Sequence, residues 1–276
     1  MGMRQDKGSP FFSLICVFFS LALAVGCALS GLGTRWGWWD FRTGLLILKW
    51  TAYGECAIAI LSLVGCFLPQ SREAGRRALF VMALVISLLA AIGPVRMALT
   101  ARSLPMIHDI TTDTENPPVF NSVLLARKDA LNPVEYGGPE IARQQQKAYP
   151  DIVPLVVEDP PGKAFERALA AAEKLSWRIV SEEKEKGIIE ATDTTFWFGF
   201  KDDIVIRITP QGTGSLIDVR SLSRVGKSDV GANAKRIRAF LKMMKRSSNP
   251  DKANQNKGGI WYSRGFLRDI PTGYFC

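Results

Sequence analysis

Three apolar runs fill the first hundred residues, and shorter periodicities take over after them. The first run, 11–31, holds no charged residue, and the second, 45–68, is interrupted by Lys49 and Glu55. The third, 78–95, is uncharged and carries Gly93-Pro94 near its end. A spanning helix needs ~20 predominantly apolar residues. The pattern therefore predicts a membrane domain over 1–99, with spans at about 11–31, 45–68 and 78–98.

From 100 to 160, proline recurs at Pro105, Pro117, Pro118, Pro133, Pro139, Pro150, Pro154 and Pro160. Proline removes a backbone donor and pushes its predecessor extended. This stretch reads as an extended lead-in segment, with at most a short helix over 139–148, wrapping the domain that follows. Phe165, Leu169, Ala172 and Leu175 then recur at helical spacing behind Pro160-Pro161. Strands are expected at 177–180 and at 188–194, the latter continuing through Phe196 to Phe200, with a turn over 184–187.

Ile204, Ile206 and Ile208 alternate with polar positions, as do Ile217 and Val219. A two-residue loop at Gly212-Thr213 sets Arg207 opposite Asp218 and Ile206 opposite Val219, with charges on one face and isoleucines on the other. A last helix begins near Asp229, with Val230, Ala234, Ile237, Leu241 and Met244 on its apolar stripe. The expected fold class is α+β: three transmembrane helices, then a four-stranded antiparallel sheet packed by two helices over 161–246. Residues 247–276 read as a flexible tail with an aromatic end.

Composition narrows the functional classes. The 276 residues are 47% hydrophobic and 22% charged, which argues against long disorder. A single His and five Cys without a CxxC argue against a His-rich metal enzyme and a disulfide scaffold, so no metal or cofactor is expected. Cys16, Cys27, Cys56 and Cys66 fall in the apolar runs and the fifth is Cys276.

Arg4, Lys7, Arg72, Arg76 and Arg77 flank the spans on one side, against Arg35 and Arg42 on the other. The positive-inside rule then puts the N-terminus in the cytoplasm and everything after ~residue 100 across the membrane, in the periplasm if the host is a bacterium. The expected site is a bacterial inner membrane. Arg4 and Lys7 before an apolar stretch also fit a signal peptide. The length of that stretch and the spans after it favour an uncleaved first helix.

Glu55 is the deepest charge in the runs, and an intramembrane carboxylate raises a functional question by default. Its partner is Lys49 or a polar group on another helix, or the carboxyl carries a proton. Trp36, Trp38 and Trp39 between the first two spans suit an interfacial anchor or a contact surface for another membrane subunit. Trp261 and Tyr262 in the tail suit docking onto the domain, the membrane or a partner.

Between the last strand and last helix, Arg220, Ser223, Arg224, Lys227 and Ser228, with Arg236 on the helix, offer donors and positive charge to an anion such as a lipid headgroup. Gly226-Lys227-Ser228 copies the end of a P-loop, but Ser221 stands where its first glycine belongs. A strand-to-helix turn capped by Asp229 or Ser228 explains the same residues. His108 with Asp109, Asp113 and Glu115 reads as a hydrogen-bonded turn, and Asp202-Asp203 as a turn before a strand. No nucleophile or acid/base constellation stands out, so no catalytic residue is assigned. The compartment argues against nucleic acid as a partner.

Ile107-His108-Asp109-Ile110-Thr111-Thr112-Asp113 with Asn116-Pro117-Pro118 forms one distinctive block. Asp202-Asp203-Ile204-Val205-Ile206-Arg207-Ile208 and the stretch from Asp218 through Gly226-Lys227-Ser228-Asp229 to Ile237 form the other. Over roughly 107–244 the chain resembles the family catalogued as domain of unknown function fourteen-ninety-nine. The resemblance implies a membrane-linked setting and supplies no activity, substrate or catalytic residue. The expected function is a non-catalytic accessory or scaffold subunit of a membrane complex, with the bilayer and other subunits as partners. Binding of an anionic small molecule or lipid is the alternative.

Overall fold

The computed structural model describes residues 11–69 and 73–247. The described residues divide into two compact units, the first reaching Thr100 and also holding Trp197–Gly199, the second holding the other described residues from Ala101 on.

Among the described residues, three helices make the first unit: α1 (Phe11–Arg35), α2 (Phe41–Phe67) and α3 (Ala74–Ser103). All three are long and apolar enough to cross a membrane. α2 begins four residues before its apolar run because Asp40 caps it, accepting from the Arg42 and Thr43 amides at 2.8 and 3.3 Å. Large apolar side chains such as Phe18, Ile60 and Leu89 face outward, whereas Ser13, Ser20, Ser30, Ala52, Ala59, Ser62, Ala83 and Ser87 are buried. A helix group in lipid sorts its residues this way, since small side chains let backbones approach.

α3 runs on through Pro94 rather than ending there. Proline cannot donate to the carbonyl four residues back, which is that of Ala90. The Cys27 thiol of α1 lies 3.8 Å from that oxygen and serves as its donor.

Six strands, not four, make the sheet of the second unit. They are β1 (Asp109–Thr111), β2 (Leu155–Val157), β3 (Arg178–Glu183), β4 (Ile188–Thr194), β5 (Lys201–Gln211) and β6 (Gly214–Ser223). The order is β1-β6-β5-β4-β3, with β2 also pairing with β6, and every pairing is antiparallel. The two additional strands come from the proline-rich lead-in segment. Each is three residues long, too short to show a period of its own.

The hairpin has the expected register, Arg207 against Asp218 and Ile206 against Val219, closed at Gly212-Thr213. β4 stops at Thr194 instead of continuing to Phe200. The Thr195 amide donates to the Phe200 carbonyl at 2.8 Å, the Phe200 amide returns to Thr195 Oγ1 at 2.9 Å, and Gly199 takes φ +68°. A left-handed residue there closes a loop, which an extended strand cannot do.

α5 (Pro161–Lys174) and α6 (Ala232–Ser247) cover one face of the sheet. Ile189, Ile204, Ile206, Ile217 and Val219 pack there against Phe165, Ile237 and Phe240, and Trp177 stacks on Phe240 at 5.6 Å. α4 (Gly138–Ala148) closes the β1 edge. Gln145, fully buried, accepts from the Thr111 amide at 2.9 Å and donates to the Thr111 carbonyl at 2.6 Å. Its side-chain amide takes the place of a neighbouring strand on an otherwise open edge.

Candidate functional site

The second face of the sheet is where the ionisable groups gather. Strand alternation sends Glu190, Thr192, Asp203, Arg207, Asp218, Arg220 and Arg224 to this side. Most of it is shielded from water by segment 112–136, which includes a 3-10 turn, Ser122–Arg127. Phe120 and Val123 fill the gap against Val205 and Leu222.

Buried charges are tolerated when they are paired and hydrogen-bonded. Arg220 is held by Asp109 through two bonds of 3.0 and 2.8 Å and donates to the Pro118 and Val134 carbonyls. Its guanidinium also lies over Phe120 at 5.0 Å and Tyr136 at 5.6 Å. Asp203 receives Arg127 at 2.6 Å, Arg224 at 2.8 and 2.9 Å and Thr192 Oγ1 at 2.7 Å. Burial works to raise the Asp203 carboxyl, but these donors outweigh it and hold it below the ordinary carboxylate value. Burial pushes the Tyr136 hydroxyl up to about 12, with Asp109 adding to the effect.

Glu190, with no exposed surface, accepts from three consecutive amides: Asn121 at 2.8 Å, Ser122 at 3.0 Å and Val123 at 2.9 Å. A strand carboxylate thereby caps the start of the 3-10 turn and ties the covering segment to the sheet. Nothing in the sequence marked Glu190. In the run Ile188 to Thr194 it reads as an outward-facing polar residue.

The candidates read from sequence are separated by this arrangement. Asp202 and Asp203 point to opposite faces, Asp202 toward Arg236 of α6 at 2.6 Å. Arg236 lies along the apolar side of α6 rather than among its solvated lysines, and Asp193 at 2.8 Å holds its other side. Two carboxylates raise that guanidinium despite its burial. Asn233 links it to Ser221, and Ser223 Oγ accepts from Asn233 at 3.0 Å. Lys227 is exposed.

Ser228 Oγ accepts from the Val230 amide at 3.2 Å. Asp229 accepts from the Gly231 and Asn233 amides at 3.0 and 2.7 Å, so its own carboxylate occupies the N-terminus of α6. The charges available to an anion on Arg220, Arg224 and Arg236 are thus matched by carboxylates of the same domain. The residues around His108 do not form one turn: Asp113 accepts from the Glu115 and Asn116 amides beyond the far end of β1, Asp109 is taken by Arg220, and His108 Nδ1 lies 3.4 Å from the Lys227 carbonyl.

In the first unit, Lys49 lies over the Trp50 and Tyr53 rings at 5.7 and 5.9 Å and forms no ion pair with Glu55. Glu55 has no exposed surface, and neither of its oxygens has a hydrogen-bond partner among the described residues. Trp36, Trp38 and Trp39 form one aromatic cluster, with centroids 4.9 and 5.9 Å apart. Trp39 Nε1 donates to the Ser30 carbonyl at 3.1 Å, while Trp36 and Trp38 stay exposed. Trp261 and Tyr262 lie outside the described residues.

A family model described as protein of unknown function (DUF1499) matches residues 109–244. The match begins at β1 and ends in α6, so it takes in the sheet, both helices on it and the covering segment. No curated protein matches the chain.

Proposed function

Since the chain belongs, through residues 109–244, to the DUF1499 family, we propose that it serves as a non-catalytic accessory or scaffold subunit of a membrane protein complex. The observation that carries this reading is a row of exposed apolar side chains on the segment covering the second sheet face. Val119 is 66% exposed, Leu124 42%, Leu125 77% and Leu131 58%. Single exposed apolar residues are ordinary, but four within one short segment of a domain suit a partner surface. The ionisable groups beneath them support the same reading, because Arg127, Arg220 and Arg224 and their carboxylates are bonded to one another. Binding of an anion is less well supported, since only Lys227 among its basic residues lies free on the surface.

Native-gel migration after mild extraction tests the proposal. The full chain is expected in a species heavier than itself that contains other polypeptides, and L124D/L125D is expected to dissolve that species. A wild-type chain that runs alone, or only with copies of itself, refutes the accessory role. We further place the N-terminus in the cytoplasm and the domain across a bacterial inner membrane, following the charges of the loops. Protease added to right-side-out spheroplasts should then cut the domain; protection there, with cleavage in inverted vesicles, reverses the orientation.

A further inference from the structure

Glu55 stands at the middle of α2, with about 21 Å of helix before it and about 18 Å after it. In a helix that spans ~30 Å of hydrocarbon, that position is near the bilayer midplane. All three helices meet around it. Leu23 of α1 packs on Gly54, whose missing side chain lets the helices close. Cys27 of α1 lies within its electrostatic reach, and Ser87 of α3 approaches without forming a bond of acceptable geometry. Ser62, two turns on along the same face of α2, is also buried, with Cys16 of α1 near its hydroxyl but no well-formed hydrogen bond among the described residues.

Among the described residues, no charge lies where it could balance a carboxylate here. The titratable group facing Glu55 from α1 is Cys27, and α3 presents a hydroxyl. Lys49, on α2 itself, is engaged with aromatic rings on the outer surface. An ionised carboxylate without partners is strongly disfavoured in such a setting, and neutralising it resolves the conflict. A metal cation would neutralise it too, but it needs several oxygens in one shell. One carboxyl and one nearby hydroxyl do not provide that. A proton needs a single oxygen.

We propose that Glu55 is an intramembrane proton-binding site, carrying its proton at neutral pH while the three helices are packed. Release breaks the carboxyl O–H bond, passes the proton to water and leaves a carboxylate that must be hydrated. Proton release is therefore tied to opening of the helices around Gly54, Cys27 and Ser87. The site is separate from the accessory role of the second unit and rests on different residues.

Infrared difference spectra of the full chain in lipid nanodiscs test this, wild type against E55Q. At neutral pH the wild type should show the C=O stretch of a protonated carboxyl in an apolar setting, and E55Q should lack it. In E55D the band should persist at a shifted position, which keeps the measurement decisive if E55Q folds poorly. Raising the pH should convert the band to carboxylate stretches together with faster amide exchange in α2. Carboxylate stretches from Glu55 already at neutral pH overturn the proposal. So does loss of the band on adding sodium at constant pH, which identifies a cation site instead.

Discussion

Replacing Glu190 with alanine is the most informative perturbation of the second unit, because one carboxylate holds three backbone donors. The bonds to Asn121, Ser122 and Val123 are 2.8 to 3.0 Å long. A hydrogen bond to a charged acceptor contributes about 1.5–3 kcal/mol, and an orphaned buried donor costs a comparable amount. Two of these amides are only partly buried, so water will recover some of the loss. We take the net effect of E190A as about 4 kcal/mol. In a unit of this size that lowers Tm by roughly 8–16 °C.

Loss of the tie should also be local. Amide exchange at 121–123 should accelerate well before that of β5 and β6, because the sheet keeps its own ladder. E190Q keeps the shape but turns an NH2 toward at least one backbone donor, and should fall about halfway. Thermal unfolding of the full chain in detergent, with exchange read on peptides covering 119–131, measures both effects. A Tm within about 2 °C of wild type, with unchanged exchange at 121–123, would refute the idea that Glu190 fastens the cover. Because Leu124 and Leu125 ride on that cover, E190A should also weaken the heavier native-gel species.

Other consequences follow from the same network. Asp203 is held below its ordinary value of 3.8 in the folded state, so its contribution is full above that value and is lost as pH falls through the lower folded value. Acid titration of stability should therefore show a limb below about pH 4 that D203N flattens; an identical acid limb in D203N contradicts the assignment. R236A strands Asp202 and Asp193 and should cost about 3–5 kcal/mol, while D202N in the R236A background should restore part of it; strict additivity in a denaturant double-mutant cycle would show that the pair is not coupled. Q145A uncovers the Thr111 amide and carbonyl and should cost about 2 kcal/mol, with faster exchange of the Thr111 amide as the readout.

Much of this architecture can be read from the chain, and the parts that cannot have a common cause. α1, α2 and α3 follow from the length of three apolar runs, while α5, the hairpin register and the apolar stripe of α6 arise from a local period, 3.6 or 2 residues, repeated over several turns or pairs. β1 and β2, three residues each, lack that repetition, and the prolines around them give the segment the pattern of extended coil. The Thr195 to Phe200 loop resembles a strand in sequence because its aromatics are typical strand residues. The turn depends on Gly199 at positive φ and on the Thr195–Phe200 bonds, which join positions five apart. Glu55 was visible as a charge in an apolar run, yet its isolation was not, because that required knowing where Lys49 points.

The ionic face carries the deeper reason. In a sheet covered on one side, Glu190, Asp203, Asp218 and Arg220 belong to solvent, and their alternation with isoleucine says so. Here a second cover made of irregular chain buries them, and each finds its partner far along the sequence: Asp109 for Arg220, Arg127 for Asp203, the 121–123 amides for Glu190. Such pairs add little net stability over an apolar face of equal volume. What they add is discrimination between registers. Asp202 and Asp203 are adjacent and require opposite faces, one meeting Arg236 and the other Arg127 with Arg224. A one-residue slip of β5 would satisfy one set of guanidiniums only: in one direction Asp203 meets Arg236 and Ile204 faces Arg127 and Arg224, and in the other Asp202 meets Arg127 and Arg224 and Lys201 faces Arg236. The doubled aspartate, which in sequence reads as a turn before a strand, lies inside β5 and fixes the sheet between its two covers.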